Sequence, residues 1–328
     1  MQRVEVDKLN QGEGAVRDES VRTARTAPRV SRSSTQHAWD AEIWWFLLPA
    51  AIAVIAVIGI PLVHVVYLSL FDYNIMQVTD RFVGLGNYAK ILPDREFGWA
   101  LLRTWWYVAA VIGTDFVYGF LVALLAWQLP LVWSKLFRAI VILPMLLIPA
   151  AAAMLWRSVI YTPPYAAFDH LFGLPESVSL LASPSTSLWA IILTAIWGWS
   201  PWVFLLLLAG LEGLPTEPLE AAKLDGATFP QLVWYVILPI LKPVIFITLS
   251  LKAVDSFLSF TFPWIMTEGG PGGSSHVLST YIFEKAFKFL DYGYGSSLGV
   301  VMLLIAAFTS TAVIVYAWKQ GYVSNDVS

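Results

Sequence analysis

The chain has 328 residues, 58% of them hydrophobic and 13% charged, with a mean hydropathy of +0.67. Soluble domains carry about a quarter charged residues, so this composition points to the bilayer, and a net charge of −3 gives no reason to expect a nucleic-acid partner. With no cysteine, disulfides, thiol nucleophiles and cysteine-ligated metals are excluded, and His37, His64, His170 and His276 lie too far apart for a ligand-spaced pair.

Residues 1–40 differ from the rest. They carry Arg3, Lys8, Arg17, Arg22, Arg25, Arg29 and Arg32 with many Ser, Thr and Gln and few large apolar side chains. Such a stretch cannot bury a core and is expected to be a disordered cytoplasmic tail; it is too polar to begin a signal peptide. From 41 to 320 the chain reads as one six-span membrane domain, with 321–328 as a short cytoplasmic end. The long apolar runs fall at Ile43–Phe71, Trp99–Trp127, Leu136–Trp156, Leu188–Leu211, Leu232–Trp264 and Leu298–Trp318. Each meets the ~20 residues needed to cross a ~30 Å hydrocarbon core. Prolines 61, 144, 149, 201 and 243 lie inside the runs, where neighbouring helices can satisfy the freed carbonyls.

Lysine and arginine placement sets the orientation. With both termini inside, the inner segments hold the basic tail plus Lys135, Arg138, Lys223, Lys242 and Lys319. The outer ones hold Arg81, Lys90, Arg95, Lys285 and Lys288. That bias predicts cytoplasmic termini. Outside, residues 267–275 (TEGGPGGSS) read as a loop with little intrinsic order. After it, Glu284, Lys285, Lys288 and Asp291 share one face and Ile282, Phe283, Ala286, Phe289 and Leu290 mostly the other, the pattern of an amphipathic surface helix.

Between the fourth and fifth runs lies a polar segment, residues 216–230. Thr216 can cap a helix that begins Glu217-Pro218, Ala221, Leu224 and Thr228 share a face, Gly226 lets the chain turn, and Pro230 stops the helix. Two turns are too short to be stable alone, so the helix either docks into a groove on another protein or packs on its own bundle.

Two features lie near the membrane centre. In the fourth run, WGWSPW (197–202) places Gly198, where another group can approach closely, beside Trp199, whose flat face suits a sugar ring; Trp199 as simple packing is an equal alternative. In the fifth, Lys252 stands about 15 Å along the helix from Lys242, half the hydrocarbon thickness, with Asp255 about 5 Å further and Trp264 about 33 Å from Lys242 at the outer belt. Lys252 and Asp255 share a helix face with Ser256 and Ser259 nearby. Charges at that depth mark a functional site or a structural ion pair, and Asp115, also near the midplane, is a fitting partner for Lys252. No G-x-x-x-x-G-K-[ST] occurs, so the chain has no phosphate loop of its own.

Glu220-Ala221-Ala222, Asp225-Gly226-Ala227, then Val236-x-Leu238-Pro239 resemble the EAA loop of bacterial ABC-importer permease subunits, with Val236 at the usual isoleucine position. FVGLGNYAKIL (82–92) resembles the outer-loop signature of carbohydrate permeases. Lys252, Asp255, Phe257, Phe260, Thr267 and Gly269-Gly270-Pro271 are similar to the fifth-span signature of the maltose-permease type. Thr261 and Arg103 depart from the usual Asp and Asn. The resemblance covers about residues 43–320 and implies an all-α integral membrane protein of the type I ABC-importer permease fold, with 216–230 as a cytoplasmic coupling helix. It further implies a carbohydrate substrate, an oligosaccharide or related polyol, contacted by Lys252, Asp255, Ser256, Ser259, Gly198 and Trp199. The partners implied are a second homologous permease, two ATPase subunits and an extracytoplasmic solute-binding protein, in a bacterial inner membrane. ATP and Mg would sit on the ATPase, with no cofactor, metal or catalytic residue on this chain. A channel or a membrane-embedded glycosyl or lipid transferase is the alternative; the transferase would need a carboxylate or metal motif that the sequence lacks.

Overall fold

The computed structural model describes residues 47–163, 167, 171, 173 and 180–319. The expected tail at 1–40 and end at 321–328 lie outside them. The chain divides into two units at Leu62–Val63. In the first, the described residues form the start of helix α1 (Leu47–Ser69), whose apolar side chains there are exposed.

The second unit opens, after the rest of α1, with a hairpin of β1 (Phe71–Asn74) and β2 (Thr79–Phe82), paired antiparallel with Phe71 opposite Phe82. Helix α2 (Gly86–Ile91) braces it: the buried Asn87 side chain donates to the carbonyls of Ser69 (3.0 Å) and Phe71 (2.7 Å). Then come α3 (Arg95–Gln128), α4 (Leu131–Ile142), α5 (Pro149–Leu155), α6 (Ser187–Glu212) and α7 (Thr216–Leu224). They are followed by α8 (Phe229–Phe257), α9 (Thr261–Thr267), α10 (Leu278–Phe283) and α11 (Tyr292–Lys319).

Among the described residues, α1, α3, α6, α8 and the Tyr292–Val313 part of α11 are long and apolar enough to span a bilayer. The third expected span is not straight. Its halves, Leu131–Leu146 and Pro149–Ile160, meet at a 91° bend. Pro149 accounts for it: a proline disfavours helical backbone in the residue before it, and Ile148 is extended together with Leu147, with ψ of 129° and 138°, whereas Leu143 before Pro144 stays helical. Six spans therefore require counting the bent pair as one.

The fifth span also departs from expectation. α8 contains a π turn at Val233–Ile237 and ends at Phe257, and Leu258 leaves the helical region. A straight helical rise from Lys242 to Trp264 does not exist, and Ser259 sits beyond the helix end. At α7, Thr216 is the first helical residue rather than its cap; Pro215 precedes the helix and offers no side-chain acceptor. Thr228 instead caps α8, its backbone N–H donating to Gln231 Oε1 at 2.8 Å.

Two larger apolar clusters, with a smaller one of Ile91, Ala100, Tyr281, Tyr294 and Leu298, fill the bundle. One packs Phe204, Leu207, Leu211, Leu219, Ile237 and Leu241 where α3, α6, α7 and α8 meet. Gly210 makes this possible, since a Cβ there would stand 2.7 Å from Leu241 Cδ2. The other packs Tyr107, Val111, Ile191, Phe257, Phe262, Met266 and Leu278 towards the opposite end. The 267–275 loop, expected to have little order, is pinned there. Thr267 and Ser275 share a hydrogen bond of 2.7 Å, Ser275 donates to the Gly270 carbonyl at 2.7 Å, and the His276 ring fills the space a side chain at Gly269 (φ +87°) would need. The expected two-faced surface helix is only partly realised, because α10 passes into a π turn at Glu284–Lys288 that leaves Phe287 and Phe289 exposed.

Candidate functional site

A lysine in the middle of an apolar bundle must find counter-charges or be expelled. Lys252, on α8, finds two. Its ammonium lies 3.6 Å from Asp115 Oδ2 on α3 and 3.5 Å from Asp255 Oδ2 one turn along its own helix. Lys252 and Asp115 are buried, with side-chain exposures of 3% and 0%, whereas the Asp255 side chain is 57% exposed. The Trp199 ring on α6 closes the remaining side, with the ammonium 5.3 Å from its centroid. Three helices are thus tied to one cation, and loss of either buried charge would strand the other.

Beside this centre is a cleft of about 220 Å³, lined by Pro149, Trp199, Asp255, Ser259, Phe260 and Thr261 among others. It exists because α8 stops at Phe257 and α5 begins at Pro149, so two backbone interruptions face one space. Ser259, in the turn after α8, is held by Tyr107 of α3, the two hydroxyls 3.0 Å apart, and its carbonyl accepts from Ser279 at 2.5 Å. The cleft thus offers an aromatic face, a carboxylate and hydroxyls, groups that suit a polyhydroxylated ligand.

Of the six residues expected around the substrate, Lys252, Asp255, Trp199 and Ser259 come together. Ser256 is buried with no hydrogen-bond partner for its hydroxyl, and it does not line the cleft. Gly198 does not line the cleft: a Cβ there would stand 3.1 Å from Phe262 Cζ, so its place in the structure is the close packing of α6 on α9. Two residues escaped sequence reasoning, Pro149 on the cleft lining and Tyr107 behind it, bonded to Ser259. Tyr107 reads as one more aromatic in a span, and Pro149 reads only as a helix breaker.

At one end of the bundle, α7 is almost wholly exposed. Leu219 is its buried residue and joins the cluster with Phe204, Leu207 and Leu211, with Ala222 packed at the edge. Glu220, Ala221, Asp225 and Gly226 face outward, Ala222 and Ala227 are half-buried, and Leu224 is 89% exposed. Gly226 turns the chain with φ +79°.

At the other end, Asp94 caps α3 by accepting from the backbone N–H groups of Glu96 (3.0 Å) and Phe97 (3.2 Å). Its second oxygen accepts from the Tyr281 hydroxyl at 2.6 Å and from the Tyr294 hydroxyl. Burial works against its ionisation, but these hydrogen bonds outweigh it and hold the carboxyl below the usual range. His276 lies close by, between Glu284 (3.2 Å) and Thr280 (3.2 Å), and burial lowers its affinity for a proton.

Residues 110–328 match the family model described as binding-protein-dependent transport system inner membrane component. The chain is 31% identical over 275 residues to the probable ABC transporter permease protein y4oQ of Sinorhizobium fredii, covering 82% of this chain and 88% of that one. It is 32% identical over 282 residues to the trehalose transport system permease protein SugA of Mycobacterium tuberculosis, covering 85% and 89%. A crystal structure of a bacterial ABC transporter involved in import of the acidic polysaccharide alginate superposes with a TM-score of 0.72 at 20% identity, covering 86% of this chain and 98% of that one. That likeness is one of fold.

Proposed function

Since this chain belongs to the family of binding-protein-dependent transport inner membrane components, we propose that it is the membrane-spanning subunit of an ATP-driven importer for a carbohydrate, an oligosaccharide or related polyol. The observation that carries the reading is the cleft at the break in α8. There an aromatic face (Trp199), a hydroxyl (Ser259) and an exposed carboxylate (Asp255) converge beside a buried cation. The carboxylate and hydroxyl accept from sugar hydroxyls, and the indole packs on the apolar face of a ring. Lys252 stands behind Trp199 and Asp255, outside the lining, and Ser256 and Gly198 do not line the cleft. Relatives named as permeases for trehalose and for trehalose/maltose agree with it.

The α7 segment supports the coupling half. Glu220, Ala221, Ala222, Asp225, Gly226 and Ala227 lie on an exposed two-turn helix that its own bundle holds mainly through Leu219, a shape suited to a groove on a separate ATPase. That ATPase, present in two copies with its own ATP and Mg, hydrolyses the nucleotide. A second permease completes the pore, and an extracytoplasmic binding protein delivers the solute. Closure of the ATPase pair draws the docked helices together and opens the cleft outward, so access alternates across the membrane. Both termini face the cytoplasm in this arrangement, and a cysteine at Ser274 is then labelled from outside.

The test is uptake and sugar-stimulated ATP hydrolysis in vesicles holding the complete transporter. Ser259→Ala and Trp199→Ala are expected to cut uptake about tenfold with assembly intact, since a lost sugar contact is worth roughly 1–2 kcal/mol. Wild-type uptake in both variants overturns the cleft as the sugar site.

A further inference from the structure

We propose that this cleft admits uncharged or amine-bearing carbohydrates and rejects those carrying a carboxylate, sulfonate or phosphate; the proposal rests on the importer reading above and adds the charge of its substrate. The fold is neutral on the point, because a transporter of an acidic polysaccharide shares it. The side chains are not neutral.

Lys252 is the nearest cation, but it does not line the cleft. Its ammonium is engaged by Asp115 and Asp255 and covered by Trp199. It cannot turn toward an anionic ligand without leaving Asp115, which is fully buried, as an unpaired charge. Asp115 therefore consumes the cation that an acidic sugar would need. The charge that reaches the cleft is the Asp255 carboxylate, and among the described residues lining the space no cation accompanies it. The other walls are Pro149, Trp199, Leu258, Phe260 and Phe262 with the hydroxyls of Ser259 and Thr261. A ligand's negative charge would meet that carboxylate with no cation on the lining to offset it, whereas a neutral diol donates two hydroxyls to the same carboxylate. Asp255 thus acts as a specificity-determining residue and Asp115 as the residue that positions Lys252 away from the ligand.

The experiment uses the complete transporter in vesicles and compares initial uptake of trehalose and maltose with that of a uronic-acid disaccharide. Each variant is read as the ratio of neutral to anionic uptake, so the preference of the binding protein cancels between variants. Wild type is expected to favour the neutral sugars at least about tenfold, the scale of one like-charge contact. Asp255→Asn should reduce that ratio at least about fivefold, and Asp255→Glu should keep it. Thr261→Lys puts a cation on the cleft wall without touching the buried pair, so it reads the same effect if Asp255→Asn does not assemble. An unchanged ratio in every assembled variant, or equal uptake of both classes by wild type, overturns the charge rule. Wild-type vesicles that take up neither class overturn the carbohydrate reading itself, a different result.

Discussion

The two ends of the bundle are built by opposite rules. At the end that carries the 267–275 loop, side chains far apart in sequence are bonded directly. Tyr281 and Tyr294 reach Asp94, Thr104 accepts from the Leu278 backbone at 2.8 Å, and Arg157 donates to the Ile265 carbonyl at 2.7 Å. At the α7 end the side-chain bonds are mostly local. Ser134 donates to the Ala126 carbonyl at 2.7 Å, Thr228 and Gln231 cap one another, and one ion pair, Arg138 with Glu212 at 2.6 Å, lies half-exposed. Such a pair contributes at most about 1 kcal/mol. The first end closes upon itself; the second leaves its polar surface to something else.

That contrast can be broken first at its centre. Lys252→Met should destabilise the subunit by ~3–5 kcal/mol, because Asp115 is left buried and unpaired. Adding Asp115→Leu should recover most of the loss, read as the melting midpoint of the purified complex. No loss in the single variant would mean that water reaches Asp115.

The knitted end comes next. Asp94→Ala removes a helix cap worth about 1 kcal/mol and orphans two tyrosine hydroxyls, for a combined cost of roughly 2–4 kcal/mol. The contribution also depends on pH. Because the folded carboxyl titrates below its ordinary value, its stabilisation is complete above the ordinary carboxylate range and is lost as pH falls through the lowered value. The gap between wild type and Asp94→Asn should thus be full at pH 7 and vanish in acid. A gap that widens on acidification would contradict the hydrogen-bond account.

The open end should respond weakly. Gly226→Ala forces a side chain into left-handed backbone at about 1 kcal/mol, and a Cβ there meets nothing within 4 Å, so the strain is local. Faster hydrogen exchange across 216–224 with an unchanged global melt is the expected reading. Glu220→Lys should shift the melt by less than ~0.5 kcal/mol, yet lose co-purification of the ATPase. If the ATPase stays bound and transport continues, α7 is a mere connector.

Different parts of this molecule were legible in the sequence to different depths. Apolar runs give the presence of spans because the bilayer demands their length. They do not give straightness, so the 91° bend at Pro144–Pro149 and the break after Phe257 were invisible to a ruler that assumed continuous rise. Lys252 and Asp115 were legible as partners, since intramembrane charges must meet. The Tyr107–Ser259 bond was not, because a span can hold many hydroxyls and periodicity says only which face each takes. The α7 motif was readable as a pattern, but its cap was misplaced at Thr216, one residue too late for a sequence in which Pro215 already fixes the turn.

The Asp115–Lys252 pair also has a history in time. Asp115 leaves the ribosome about 140 residues before Lys252, an interval of roughly 7–30 s at ordinary synthesis rates. Throughout it, α3 must hold its place in the membrane with a carboxylate that costs about 2.5–3.5 kcal/mol at the centre of an inserting helix. The surrounding apolar residues of α3 carry that load alone, and the carboxylate is free to take a proton from any water that reaches it. A chain cut short before α8 therefore displays an unpaired acid inside the bilayer. Membrane proteases or holding factors that sense intramembrane polarity would have a physical mark by which to tell an unfinished subunit from a finished one.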